Sequence, residues 1–114
     1  MAARKPHKFR NFEFTDQFEK DLAKIGKVGS HDLTLLNQFM SALVAHDTQA
    51  LVASWKDHKL NKDKSKGIEE GDRDAHIKDN LVVIYRIEAD PDGRKDWELV
   101  FMLRIGTHAD VLAM

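Results

Sequence analysis

Six histidines and no cysteine occur in the 114 residues, so thiol catalysis, Cys-zinc sites and redox switching are excluded. Imidazole is then the natural proton carrier near neutral pH. Three of the histidines stand in marked surroundings. His58 ends the run Trp55-Lys56-Asp57-His58, His76 ends Arg73-Asp74-Ala75-His76, and His108 follows Arg104-Ile105-Gly106-Thr107. The two-residue period of a strand puts Asp74 and His76 on one face. His108 follows a Gly-Thr at a strand end, where loops tend to display functional groups. His7, His31 and His46 fall in a tail, a link and a helix end, and no special role is read into them.

Taken singly, each histidine reads as a surface or hydrogen-bonded residue, and Asp74 as the partner of a neighbouring cation. The combination says more. His58, Asp74, His76 and His108 at strand ends, with Arg73, Arg86 and Arg104 on adjoining strands, make one polar cleft once those strands pair. Such a cleft suits RNA cleavage without a metal. A base takes the proton of a ribose 2′-hydroxyl, the oxygen attacks the adjacent phosphate, and an acid protonates the departing 5′-oxygen. A general acid–base step of this kind contributes about a hundred- to ten-thousand-fold in rate. Arginine offers a planar fork to the phosphate as its charge builds. Zinc would also accept these ligand types, but no close paired-ligand spacing supports it. Neither a metal nor a cofactor is expected.

Composition sets the frame for that cleft. With 42% apolar and 32% charged residues the chain reads as one globular domain over 1–114, with 1–7 a loose tail. The formal charge of -1 does not advertise a nucleic-acid partner, yet the charge is uneven. Arg4, Lys5, Lys8 and Arg10 open the chain, and Lys56, Lys59, Lys62, Lys64 and Lys66 crowd the middle. A local lysine patch binds phosphates whatever the net charge; the same run also reads as a solvated loop. No apolar run has the length of a membrane span, and MAARKPHKFR lacks the apolar stretch of a secretory signal. A cytoplasmic protein is expected.

The elements that must position these groups follow from periodicity. KFRNFEF (8–14) alternates as a first strand. Thr15 and Asp16 start a helix, with Asp16 and Glu19 as a capping-box pair; Phe18, Leu22 and Ile25 form its apolar face while Lys20, Asp21 and Lys24 face water. Gly26 and Gly29 end it. A second helix is expected from about Asp32 to about His46, with Leu33, Leu36, Met40, Leu43 and Val44 as its buried stripe, widened by Leu35 and Phe39. After residue 50 the texture turns to strands: SWKDHKL, then a mobile polar loop over 61–72, then DRDAHI, LVVIYRIEA and WELVFMLRIG. Asp90-Pro91-Asp92-Gly93 is a tight turn between the last two, which should lie centrally with both faces covered. THADVLAM reads as a final helical turn capped by Thr107. The order β-α-α-β-β-β-β is α+β, with a two-helix hairpin packed on one face of a small, largely antiparallel sheet.

The strings KDHKL, GDRDAHI, LVVIYRI and RIGTHADVL, in this order after two helices, resemble the YafQ branch of the RelE/ParE toxin superfamily, over nearly the whole chain from residue 9. The resemblance implies a type II toxin that enters the ribosomal A site and cuts mRNA there, leaving a cyclic phosphate. It places the family's catalytic histidine on His108, as general acid. His58 and the pair Asp74 and His76 become candidates for base and for charge stabilisation, Arg104 the foremost phosphate contact, and Arg73, Arg86 and Lys56 further RNA-binding groups. Where such toxins carry another acidic residue this chain has Asn80, with Asp79 one place early as a possible acid or base. Where they carry an aromatic, it has Leu112, which packs on a base but stacks poorly. An implied partner is an antitoxin of ribbon-helix-helix type, through which the pair binds operator DNA. Two alternatives share the fold: a ParE-like gyrase poison, which lacks this histidine set, and a non-catalytic binding module.

Overall fold

The computed structural model describes residues 8–26, 30–61, 63, 68–78, 80–107, 109 and 111, with 26, 30 and 31 by backbone only. β1 (Phe9–Phe14) leads into α1 (Asp16–Gly26), α2 (Ser30–Val44) and α3 (Thr48–Ala53). β2 (His58–Lys59), β3 (Asp72–Lys78), β4 (Leu81–Ala89) and β5 (Trp97–Gly106) follow. The strands form one sheet in the order β1-β5-β4-β3-β2. β4 and β5 are central, as their apolar runs require.

The class is α+β, but the sheet is mixed. β1 runs parallel to β5, Phe9 opposite Trp97 and Phe14 opposite Met102, while every other pairing is antiparallel. Alternation tells which side chains face the core and is silent on strand direction, so the expectation of a largely antiparallel sheet missed this edge.

The two faces of the sheet are covered differently. On one, Ala75, Ile77, Val83, Tyr85, Val100 and Met102 pack against Phe18, Leu36, Phe39, Leu43 and Leu51 from the three helices. Phe39 meets Trp55 and Tyr85 edge-on at 5.7 and 5.6 Å, tying the helices to the sheet. Burying a side chain of this size contributes about 1.5–3 kcal/mol. On the other face, among the described residues, Ile68 and Val111 cover Val82 and Ile84, with Leu60 and Leu103 at the border. The loop read as mobile over 61–72 is therefore anchored at its described positions: Asp63 bridges Ile68, Ile68 is buried, and Asp72 already belongs to β3. The C-terminal turn forms as read, the Val111 amide donating to the Thr107 carbonyl at 3.0 Å. At the β4–β5 turn the Gly93 amide donates to the Asp90 carbonyl at 2.9 Å, and Gly93 takes the left-handed φ of 78° that glycine permits.

Four local readings are corrected. The cap of α1 is Thr15, not Asp16: its hydroxyl oxygen accepts from the Phe18 amide at 3.0 Å and donates to the Leu103 carbonyl at 3.0 Å. Val44 is 51% exposed, because the α2 stripe descends through Leu36, Phe39 and Leu43 and turns Val44 away. Residues 48–53 form a third helix, capped by Asp47, whose carboxylate accepts from the Ala50 amide at 3.1 Å. The strand expected over SWKDHKL shrinks to His58–Lys59. Among the described residues no helix is long and apolar enough to cross a membrane.

Candidate active site

Pairing brings the chemistry-bearing residues into rows. One row runs His58, Asp74, Ile84, Arg104 across β2, β3, β4 and β5; the next runs His76, Val82, Gly106. Neighbouring strands lie about 4.8 Å apart, so His76 and Gly106 are separated by about 10 Å. The second row ends where Gly106 hands the chain to Thr107. His108, Asp79 and Leu112, all named from the sequence, lie outside the described residues.

His58 and Asp74 touch. The ring Nδ1 lies 2.8 Å from Asp74 Oδ1 and 3.0 Å from the Lys56 carbonyl oxygen. The Lys56 carbonyl can only accept, so Nδ1 carries the proton toward it and Nε2 keeps the lone pair. The side chains differ sharply in setting: His58 is 56% exposed and Asp74 1%. The ring N–H points to the Lys56 carbonyl, and the imidazole meets the buried carboxylate as a close contact that becomes an ion pair when the ring is protonated. Lys56 is exposed and takes a left-handed φ of 50°, which turns its carbonyl under the His58 ring. His76 shares the face of Asp74, is partly exposed, and is tethered by its amide to the Trp55 carbonyl at 2.6 Å.

The arginines divide. Arg104 donates from Nε to Asp21 Oδ2 at 2.8 Å and from Nη2 to Oδ1 at 3.4 Å. Burial pushes the Asp21 carboxyl up. The bonds from Arg104, Gln17 and the Ile105 amide outweigh that and hold it below the ordinary carboxylate value. Beside this pair opens a cleft of about 370 Å³ lined by Asp21, Lys24, Ile25, Leu81, Arg104 and Thr107, among others. Arg86 lies on the face of Asp74 but further from the row ends, bound by Nε to Asp72 at 2.6 Å, which raises its pKa.

Arg73 does not join the cleft. It stands opposite Tyr85, on the helix-covered face, and donates from Nε to Asp57 at 3.0 Å. Tyr85 donates its hydroxyl to the same carboxylate at 2.7 Å; burial, then the Asp57 contact, pushes the phenol pKa well up. Strand alternation already implies that Arg73 and Asp74, being adjacent, point opposite ways. Asp57 and Asp21, the carboxylates that engage Arg73 and Arg104, were not singled out from the sequence. Among the described residues no three histidine, aspartate or glutamate side chains converge on a point where a metal could sit.

Comparison with known proteins fits this geometry. Residues 10–113 match the family described as the bacterial toxin of type II toxin–antitoxin systems, YafQ. The mRNA interferase toxin YafQ of Escherichia coli K12 is 31% identical over 100 residues, covering 88% of this chain and 92% of that protein. Among solved structures, the E. coli DinJ–YafQ complex superposes with a TM-score of 0.67 at 30% identity, covering 90% of this chain and 97% of the other. A protein of Helicobacter pylori, HP0892, superposes with a TM-score of 0.61 at 28% identity, covering 90% and 98%. The rows of histidine, aspartate and arginine across β2–β5 therefore belong to a YafQ-family chain, a toxin of the type II toxin–antitoxin class.

Proposed function

We propose that the chain is an endoribonuclease that cuts mRNA in the ribosomal A site by attack of a ribose 2′-hydroxyl, on the RelE/ParE fold, without a metal. The observation that carries this reading is the His58–Asp74 contact, an exposed imidazole fixed by a buried carboxylate. Asp74 is too buried to reach a ribose, so it acts through His58, holding the ring and balancing charge when Nε2 takes a proton. His58 is the general base. His108 is the general acid that protonates the 5′-oxygen. His76 stabilises charge on the phosphate, Arg104 contacts it from the side of α1, and Lys56 binds RNA at the rim. Arg86 engages RNA only at the margin, since Asp72 occupies its Nε. Asp79 is a further acid or base for the site, and Leu112 packs on a base.

A toxin of this class requires neutralising, and the E. coli relative is solved as a complex with DinJ. The partner proposed here is an antitoxin of ribbon-helix-helix type that covers this cleft and carries the pair to operator DNA.

The test is inducible expression followed by mapping of mRNA ends, in cells and on purified programmed ribosomes kept in magnesium, with the protein stripped by EDTA and desalted beforehand. Cuts within A-site codons that leave 5′-hydroxyl and cyclic phosphate ends are expected. Intact mRNA in arrested cells, with supercoiling lost instead, would point to gyrase and contradict the reading.

A further inference from the structure

We propose that Asp21 is a positioning residue for Arg104, gripping one edge of its guanidinium so that the group stands ready at the phosphate. This rests on the ribonuclease reading above. It starts from a gap in the sheet. β1 stops at Phe14, opposite Met102, and Thr15 satisfies the Met102 carbonyl through its amide and the Leu103 carbonyl through its hydroxyl. Beyond that point, among the described residues, no strand pairs with β5 on this side, and α1 takes the place of one. Asp21, on α1, accepts the Ile105 amide at 3.1 Å on Oδ2, the oxygen that also accepts Arg104 Nε at 2.8 Å. Its Oδ1 accepts Gln17 at 3.0 Å and Arg104 Nη2 at 3.4 Å.

Covering one strand amide needs only a neutral acceptor. A carboxylate 5% exposed carries a desolvation cost that an amide would avoid, and what it gains is the charged grip on Arg104. Arg104 itself is 34% exposed and borders the cleft that leads to Thr107. A long arginine loses much rotamer freedom when it meets a phosphate; one already fixed has lost it beforehand. Asp21 thus stands to Arg104 as Asp74 stands to His58: a buried acid aiming an exposed base.

The experiment is single-turnover cleavage of mRNA on programmed ribosomes by wild type, Asp21→Asn, Arg104→Ala and the double variant, with thermal unfolding of each. Asparagine keeps the shape and an acceptor for the Ile105 amide but loses the charged grip. Asp21→Asn is expected to slow cleavage at saturating ribosome by about tenfold with half-saturation changed by less than about threefold. Arg104→Ala should cost at least as much, and the double variant no more than Arg104→Ala alone. If Asp21→Asn fails to fold, Arg104→Lys is the second readout: it keeps the charge, loses the gripped edge, and should lose a similar factor. Wild-type cleavage beside an equally fast Asp21→Asn or Arg104→Lys overturns this proposal alone, as do losses that multiply in the double variant. A wild-type chain that leaves mRNA intact overturns the ribonuclease reading and this proposal with it.

Discussion

The two faces of the sheet use the same residue types to opposite ends. Under the helices, Asp57 is enclosed by Arg73 and the Tyr85 hydroxyl, and both oxygens are taken at 3.0 and 2.7 Å. Across the sheet, the Asp74 side chain is more buried still, 1% exposed against 6%, and it meets a half-exposed imidazole with a second nitrogen. Tyr85 and Asp74 are 1% exposed each, so burial does not separate them. What differs is whether the partner has further chemistry left. A guanidinium and a phenol locked on a carboxylate make a strut, whereas an imidazole on a carboxylate makes an aimed base. The apolar cover differs in the same sense, three helices against a few residues of a loop and a turn.

That contrast is best broken by variants on the face bearing His58. His58→Ala should slow mRNA cleavage per folded molecule by about a hundred- to ten-thousand-fold, with some loss of thermal stability because buried Asp74 loses its imidazole contact. Asp74→Asn, which keeps the ring's neighbour but not its charge, should cost about ten- to a hundredfold in the same single-turnover assay. On the covered face the balance reverses. Tyr85→Phe removes the hydrogen bond to Asp57 and should cost about 1.5–3 kcal/mol of stability in urea unfolding, with cleavage per folded molecule unchanged.

The smallest effect concerns acid. The folded-state pKa of Asp21 lies below its unfolded value near 3.8, so its contribution is full above that value and fades as pH falls through the folded one. Asp21→Asn should therefore flatten the acid limb of the stability curve below about pH 4 and leave it parallel to wild type near neutrality. An unchanged acid limb would mean that the Arg104 contact does not persist in solution.

Much of this architecture was legible before any coordinates. The unbroken apolar run of LVVIYRI announced a central strand, and Asp90-Pro91-Asp92-Gly93 announced the turn that returns the chain as β5. Short local signals carried less. α3 has six residues and one buried side chain, Leu51, too few to display a helical period beside the strand-like residues that follow. The direction of β1 depends on where two helices deliver the chain, which alternation does not record. Among the candidate residues, His58 and Asp74 were named but their contact was not, because a two-residue strand on the sheet edge leaves no pattern. Arg73 was assigned to the cleft against the alternation that turns it from Asp74. Asp21, expected to face water, is buried instead, because its partner lies 83 residues away and a lone aspartate on a helix resembles any solvated one.

The central claim is that RNA meets the face bearing His58 and His76, away from the one stiffened by Asp57, Arg73 and Tyr85. Amide NMR with a short RNA made uncleavable by 2′-deoxy substitution reads that directly. Shifts concentrated at His58, Lys59, His76 and Gly106 are predicted. Shifts gathered instead around Thr48, Arg73 and Tyr85, with His58 and His76 unmoved, would contradict it.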